Sequence, residues 1–179
     1  MEFISKCCSA PPIGELEQDL SRKVAFGYCK DCGSKSSFFE KQPLEFTPAN
    51  IKKLGDNEVF VFGSNTAGRH GAGAALTALK HFGAVYGEGE GLQGKSYAIP
   101  TKNHRIQTMP LNGIAYYVNR FLEFSKEHPE LTFLVTPIGT GLAGLSAADI
   151  APMFKGAPKN VVLPKDFLQL NQTTTTTTK

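Results

Sequence analysis

Two glycine-rich turns carry the chemistry that this chain can offer to an anion: Gly63-Ser64-Asn65-Thr66-Ala67-Gly68-Arg69-His70-Gly71-Ala72-Gly73 and Gly139-Thr140-Gly141-Leu142-Ala143-Gly144. Each follows an apolar run that reads as a buried strand. A strand that ends in glycines and runs into a helix leaves several main-chain N–H groups free to point at one anion. Glycine also lets a phosphate approach the backbone without meeting a Cβ. Two such turns on one chain could clamp a diphosphate from both sides; tight turns with no ligand are the plainer alternative.

A second chemistry sits apart from the first. All four cysteines lie in the first 32 residues, as Cys7-Cys8 and Cys29-Lys30-Asp31-Cys32. Four thiolates in two close pairs suit a tetrahedral zinc ion, whereas a disulfide framework fits poorly with a chain that shows no export signal. Cys29 and Cys32, with Gly33 behind them, resemble one knuckle of a zinc ribbon. The first pair departs from the usual C-x-x-C, so Cys7 and Cys8 must splay to reach one ion. Reduced core cysteines or a redox pair form the alternative. The polar Lys30-Asp31 tip argues against a thioredoxin-like motif.

Composition bounds the rest. The 179 residues are 41% hydrophobic and 20% charged, enough for a packed core and a small appendage. A net charge of +3 is too mild to point to nucleic acid or membrane. No apolar run approaches the roughly 18 residues of a membrane helix. Met1 to Lys6 lacks the apolar stretch of a secretory signal, and a cytoplasmic location is expected.

The elements that must position the two turns can be read from periodicity. Residues 1–42 form the zinc-ribbon-like segment, 43–170 the main domain and 171–179 a disordered Thr-rich tail, with Pro43 and Pro48 near the boundary. Val59 to Phe62 reads as a strand and Ala72 to Phe82 as a helix with Leu76, Leu79 and Phe82 on one stripe. Tyr97 to Ile99 reads as a strand closed by Pro100. Ile114, Tyr117, Val118, Phe121 and Leu122 recur as in an amphipathic helix, which Pro129 ends. Leu131 to Pro137 reads as a strand buried on both faces. Ser146 with Asp149 reads as a capping pair for a short helix ending near Met153-Phe154. Val161 to Leu163 supplies a last strand. Alternating strands and helices predict an α/β fold with a mixed sheet.

In this order, the Asn-containing loop, His70-Gly71-Ala72-Gly73-Ala74-Ala75, Gly94-Lys95-Ser96-Tyr97-Ala98-Ile99-Pro100-Thr101-Lys102 and Pro137 to Gly144 resemble the macrodomain family of ADP-ribose binders. The likeness is to its small macro-like members in bacteria and phages, and it covers residues 46–168. It implies a mixed sheet sandwiched by helices. Gly63, Ser64, Asn65, Gly71, Ala72 and Gly73, with Gly139, Thr140, Gly141, Leu142, Ala143 and Gly144, would wrap the diphosphate and distal ribose. It implies binding of ADP-ribose or a related nucleotide diphosphate-sugar, and for hydrolytic members cleavage of an ADP-ribosyl bond. Asn65 would meet the ribose hydroxyls and orient the sugar; its alternative is a turn residue satisfying its own backbone. Arg69 and His70 could close over phosphates or, for His70, serve in proton transfer; a solvated loop tip is the alternative for both. Lys102 and His104 lie at a strand end where functional groups often sit.

Two departures accompany the resemblance. The acidic residue that the family presents to adenine has no counterpart beyond Asp56, and no residue marks a positioned water. Competing functions are a zinc-ribbon adaptor for protein or nucleic acid, with Lys30, Lys35, Phe38, Phe39 and Lys41 as a partial basic and aromatic stripe, and a non-catalytic protein that sequesters an ADP-ribose-derived signal.

Overall fold

The computed structural model describes residues 3–8, 10–19, 24–40 and 45–173. The chain divides into two compact units, Met1–Leu44 and Glu45–Lys179. Residues 41–44, where the sequence places the boundary, lie outside the described residues, as do 174–179.

The first unit is a four-stranded antiparallel sheet of β1 (Phe3–Ser5), β2 (Pro12–Asp19), β3 (Val24–Cys29) and β4 (Lys35–Glu40), in spatial order β1-β4-β3-β2. Ala25 lies opposite Phe38, and Ile13 opposite Tyr28. Its buried hydrophobic cluster is Ala10, Ala25, Cys29 and Phe38, with Phe3 and Leu16 packed against it. Among the described residues this core holds one large side chain and three small ones, and small folds with thin cores rely on a staple.

The second unit is built on a five-stranded mixed sheet. Its strands are β5 (Glu58–Asn65), β6 (Gly91–Gln93), β7 (Ser96–Lys102), β8 (Thr132–Val135) and β9 (Val161–Val162), ordered β6-β7-β5-β8-β9. β7, β5, β8 and β9 run parallel, and β6 pairs antiparallel with β7 at the edge. The helices are α1 (Gly73–His81), α2 (Leu111–Glu127), α3 (Ala147–Ile150) and α4 (Lys165–Thr173), with a 3-10 turn at Ala151–Phe154.

Side chains alternate along a strand, so a strand buried on both faces feeds two cores. Val59 and Val61 join Ile99, Phe133 and Val135 under Ile114, Val118 and Phe121 of α2 and Phe167 of α4. Phe60 and Phe62 join Ala98 and Leu134 under Ala75 and Ala78 of α1. The unit is therefore a helix, sheet, helix sandwich. Ser146 closes the capping box of α3, accepting from the Asp149 N–H at 3.2 Å while the Asp149 carboxylate accepts from the Ser146 N–H at 3.0 Å.

Two expectations are corrected and one element is added. Pro100 does not close its strand: β7 continues to Lys102. Pairing with β6 stops at Ala98, so the missing N–H of Pro100 falls where no neighbouring strand needs it. The short edge strand β6 escaped the periodicity reading. Residues 171–173, expected to open a disordered tail, belong to α4: Phe167 is fully buried, and the Asn171 side-chain amide donates to the Ala151 carbonyl at 2.9 Å.

Gly68 is a position where only glycine serves. It has φ +64°, and a Cβ there would run into the backbone of Gly87 and Glu88, while the Gly87 N–H donates to the Gly68 carbonyl at 2.9 Å. The close approach ties the first glycine turn to the segment before β6. Gly68→Ala is expected to lower unfolding stability by about 3 kcal/mol, from the left-handed backbone and the overlap together. Urea unfolding of the two proteins checks this; a difference under about 0.5 kcal/mol would contradict it.

Candidate functional site

Adjacent parallel strands end at the same edge of a sheet, so the turns that follow β5 and β8 emerge side by side. Between them lies a cavity of about 400 Å³. Of the first turn, Gly63, Ser64, Asn65, Gly71, Ala72 and Gly73 line it; of the second, Gly139, Gly141, Leu142 and Ala143 do. Thr140 and Gly144 do not. The Thr140 hydroxyl donates to the Pro137 carbonyl at 2.8 Å, and the Gly144 N–H to the Gly141 carbonyl at 2.9 Å, so both brace the turn from within.

Helix α1 opens onto this cavity without a cap. Its N-cap position is Ala72, which has no side-chain acceptor, and the first turn carries no acidic residue. Among the described residues, the amides of Gly73, Ala74 and Ala75 donate to no protein acceptor, nor do those of Gly141, Leu142 and Ala143. Donors at a helix start add to the positive end of its dipole. Arg69 and Lys102 also line the cavity, and no carboxylate does. The hollow therefore offers its contents free main-chain donors and two cationic side chains, with no carboxylate to oppose them.

Of the two side chains singled out for catalysis, Asn65 lines the cavity and His70 does not. Asn65 is buried, and its amide is engaged on both sides: Nδ2 donates to the Arg69 carbonyl at 2.9 Å, and Oδ1 accepts from the Arg69 N–H at 3.0 Å. It clamps the loop, which leaves one amide hydrogen and one lone pair for anything in the cavity. His70 is neither a loop tip nor a cavity wall. It is fully buried, edge-on to Phe62 at 5.2 Å, and its Nε2 lies 3.1 Å from the Ser64 hydroxyl. Burial pushes the imidazole below its ordinary 6.5.

Several lining residues had no distinct signal in the sequence. Thr136, Pro137 and Ile138 were read as part of a strand or its end, but β8 stops at Val135 and they turn along the cavity wall. Ile106 lines it with φ +64°, a conformation that a β-branched side chain rarely adopts. The Asn103 side chain imposes the bend by accepting from the N–H groups of Arg105 and Gln107 at 2.9 and 3.1 Å. His104 does not line the cavity. A second hollow of about 530 Å³ shares Ala74, Thr136 and Pro137 with the first and is bordered by Asn50, Lys52, Phe60 and His81. Asp56 lines neither.

In the first unit, Cys7 and Cys8 occupy the turn after β1, Cys29 ends β3, and Cys32 sits in the turn that follows. Their four sulfurs lie within 4.8 Å of one another, with Cys7 and Cys32 3.6 Å apart. Cys29 is buried and the other three are exposed. Ser5 holds the group together: its hydroxyl donates to the Cys29 sulfur at 3.3 Å and accepts from the N–H groups of Cys8 and Ala10 at 3.4 and 3.2 Å. Ser5 brings the Cys7 thiol down to about 6, whereas Cys8, beside the Cys32 thiol, is pushed up to about 12. Four sulfurs this close cannot all ionise against one another, but a cation among them removes the conflict. The cluster could hold a metal ion. Phe38 belongs to the core of this sheet and not to an exposed stripe, while the side chain of Phe39 and all of Lys41 lie outside the described residues.

Comparison of the chain with protein-family models, curated proteins and solved structures gave no match. Among the described residues no helix is long and apolar enough to cross a membrane.

The buried imidazole gives the stability a signed pH dependence. With its folded value below the unfolded 6.5, the unfolded chain binds the extra proton first. The contribution is fully present above pH 6.5 and is lost as pH falls from there toward the depressed value. Melting curves from pH 7.5 to 5 are expected to show a larger fall for the wild type than for His70→Leu. Parallel curves for the two would contradict a neutral buried ring.

Proposed function

We propose that the Glu45–Lys179 unit is a macro-like domain that binds ADP-ribose or a related nucleotide diphosphate-sugar, with the diphosphate between the two glycine turns. One observation carries this reading: uncapped amides of α1 and amides of the second turn line one cavity that holds two cations and no carboxylate. A diphosphate supplies the acceptors that those donors lack. The second hollow leaves room for the rest of a nucleotide, and Asn50 stands there in place of the acid that the family shows to adenine.

Binding, and not turnover, is the activity the lining supports. Hydrolysis would need a water activated by the ligand's own phosphate or by a side chain, and the lining residues include no carboxylate and no imidazole for the second route. The domain then sequesters or recognises its ligand, with Asn65 shaping the loop and offering a single remaining amide hydrogen to the ribose.

The Met1–Leu44 unit is read as a zinc ribbon in which Cys7, Cys8, Cys29 and Cys32 hold a structural ion. Tetrahedral zinc with Zn–S of about 2.3 Å has sulfur separations of about 3.8 Å, close to the 3.6 Å between Cys7 and Cys32. Reduced thiols and this chemistry fit a cytoplasmic protein. The ribbon also leaves Ile13, Phe26 and Tyr28 exposed on its sheet, which favours a second role in contacting protein or nucleic acid.

Two measurements test these readings. ADP-ribose at a hundred times its Kd should stabilise the folded state by about 2.7 kcal/mol, visible as a rise in Tm of roughly 6–10 °C. Asn65→Ala should shrink that rise and lower stability by about 1–2 kcal/mol, because it opens the loop. An unchanged Tm at millimolar ADP-ribose would refute the binding assignment. Elemental analysis of protein purified without chelator should find one zinc per chain, and Cys29→Ser should carry little; a metal-free wild type would refute the ribbon.

A further inference from the structure

Among the described residues of the second unit, His70 is the one buried side chain with a polar atom left over. Its Nε2 lies 3.1 Å from the Ser64 hydroxyl, and its Nδ1 is buried with no partner. A neutral imidazole carries one hydrogen, so one of these nitrogens is a donor and the other a bare lone pair. A buried N–H without an acceptor is rarer and costs more than an under-used acceptor. The hydrogen therefore belongs on Nε2, where Ser64 can accept it.

That assignment has a consequence for Ser64. With the oxygen receiving from Nε2, the serine hydrogen must point elsewhere. The Asn65 carbonyl lies 3.3 Å away, at the far end of the useful range. Ser64 also lines the cavity. We propose that His70 is a positioning residue that fixes the Ser64 hydroxyl as a hydrogen-bond donor to a phosphoryl oxygen bound between the two glycine turns.

A nucleophilic role for Ser64 does not follow from the same pair. Accepting the serine proton would leave an imidazolium enclosed beside Phe62, with the ring's other nitrogen still unpartnered and no carboxylate hydrogen-bonded to it. In triads of that kind a third group orients and balances the histidine. Here the ring stays neutral and the serine keeps its hydrogen. The residue that sequence reading offered for phosphate closure, proton transfer or a solvated loop tip instead sets the direction of a neighbouring hydroxyl.

The inference rests on the ADP-ribose reading only for the identity of the phosphoryl group, and two experiments keep them separate. The first is long-range proton–nitrogen correlation on labelled wild type at pH 7.5, which should show the His70 hydrogen on Nε2 and Nδ1 unprotonated. The opposite tautomer or an imidazolium would overturn the proposal, and this test needs no variant to fold. The second is titration calorimetry with ADP-ribose and with inorganic pyrophosphate on wild type, Ser64→Ala, His70→Phe, His70→Gln and the Ser64→Ala/His70→Phe double variant.

Ser64→Ala and His70→Phe should each weaken binding about tenfold, and the double variant no more than Ser64→Ala alone, because His70 acts through the hydroxyl. His70→Gln, which can place an amide N–H near the Nε2 position, should stay within about threefold of wild type. Losses that multiply to about a hundredfold would overturn the proposal, as would no loss from Ser64→Ala. Binding of pyrophosphate alone with this pattern would remove the nucleotide reading and keep the inference. A wild type that takes neither probe removes both.

Discussion

The parallel pairing of β5 with β8 is the constraint on which the site depends. Val61 lies opposite Val135, and the Thr136 N–H donates to the Val61 carbonyl at 2.9 Å, so the two chains leave the sheet together and in the same direction. Whatever follows them must meet. The sequence places glycines after both strands, and the meeting becomes a cavity lined by main-chain amides where larger side chains would have filled it. In an antiparallel pair the same turns would stand at opposite ends of the sheet, and neither would form more than a bend.

A cavity of this kind closes unless its walls are held apart. On one side the Asn65 amide grips both backbone groups of Arg69, Gly68 packs on the backbone of Gly87 and Glu88, and the ring of His70 fills the space against Phe62. On the other, Gly139 at φ +77° seats against the Ile150 side chain, and the Leu145 N–H returns to the Gly139 carbonyl at 3.0 Å. These contacts engage part of the polar side-chain capacity that sequence reading offered to a ligand. What remains for one is mostly backbone, which tolerates variation in the ligand's attached groups better than a set of side chains would.

Legibility followed the range of the forces involved. The α2 stripe, the Ser146 and Asp149 cap and the buried strands are set by residues within four positions of one another, and each could be read from spacing. The convergence of the two turns was legible from glycine placement after strands. His70 was not, because its burial comes from a fold-back onto Phe62 and nothing in Arg69-His70-Gly71 distinguishes a wedge from a loop tip. Pro100 misled for a related reason: whether proline ends a strand depends on whether a neighbour wants its N–H, and β6 is too short to ask. Ile106 owes its backbone to the Asn103 side chain, a local device that the Asn103-His104-Arg105 run hides among polar residues. Helix α4 has its anchor in Phe167 and Leu168, and the threonine run beyond drew attention away from them.

The first unit obeys the opposite economy. Among the described residues its sheet buries Phe38 and little else of size, and in so small a fold apolar area supplies only part of what ordering the strands requires. The turns between strands are where such a sheet would fray, and the four sulfurs sit at two of them, with Ser5 bonded to the ends of both. A cation among the thiolates would cross-link the turn after β1 to the turn after β3. That link joins a strand at one edge of the sheet to an interior strand it does not pair with, since β4 lies between them. A tie across a missing hydrogen-bond ladder stabilises more than one within a ladder, because it removes conformations that the sheet itself leaves open. The cysteine spacing is thus matched by the topology: two sulfurs per turn, in two turns that the strand order brings together, where the Lys30 N–H also donates to the Pro11 carbonyl at 3.0 Å.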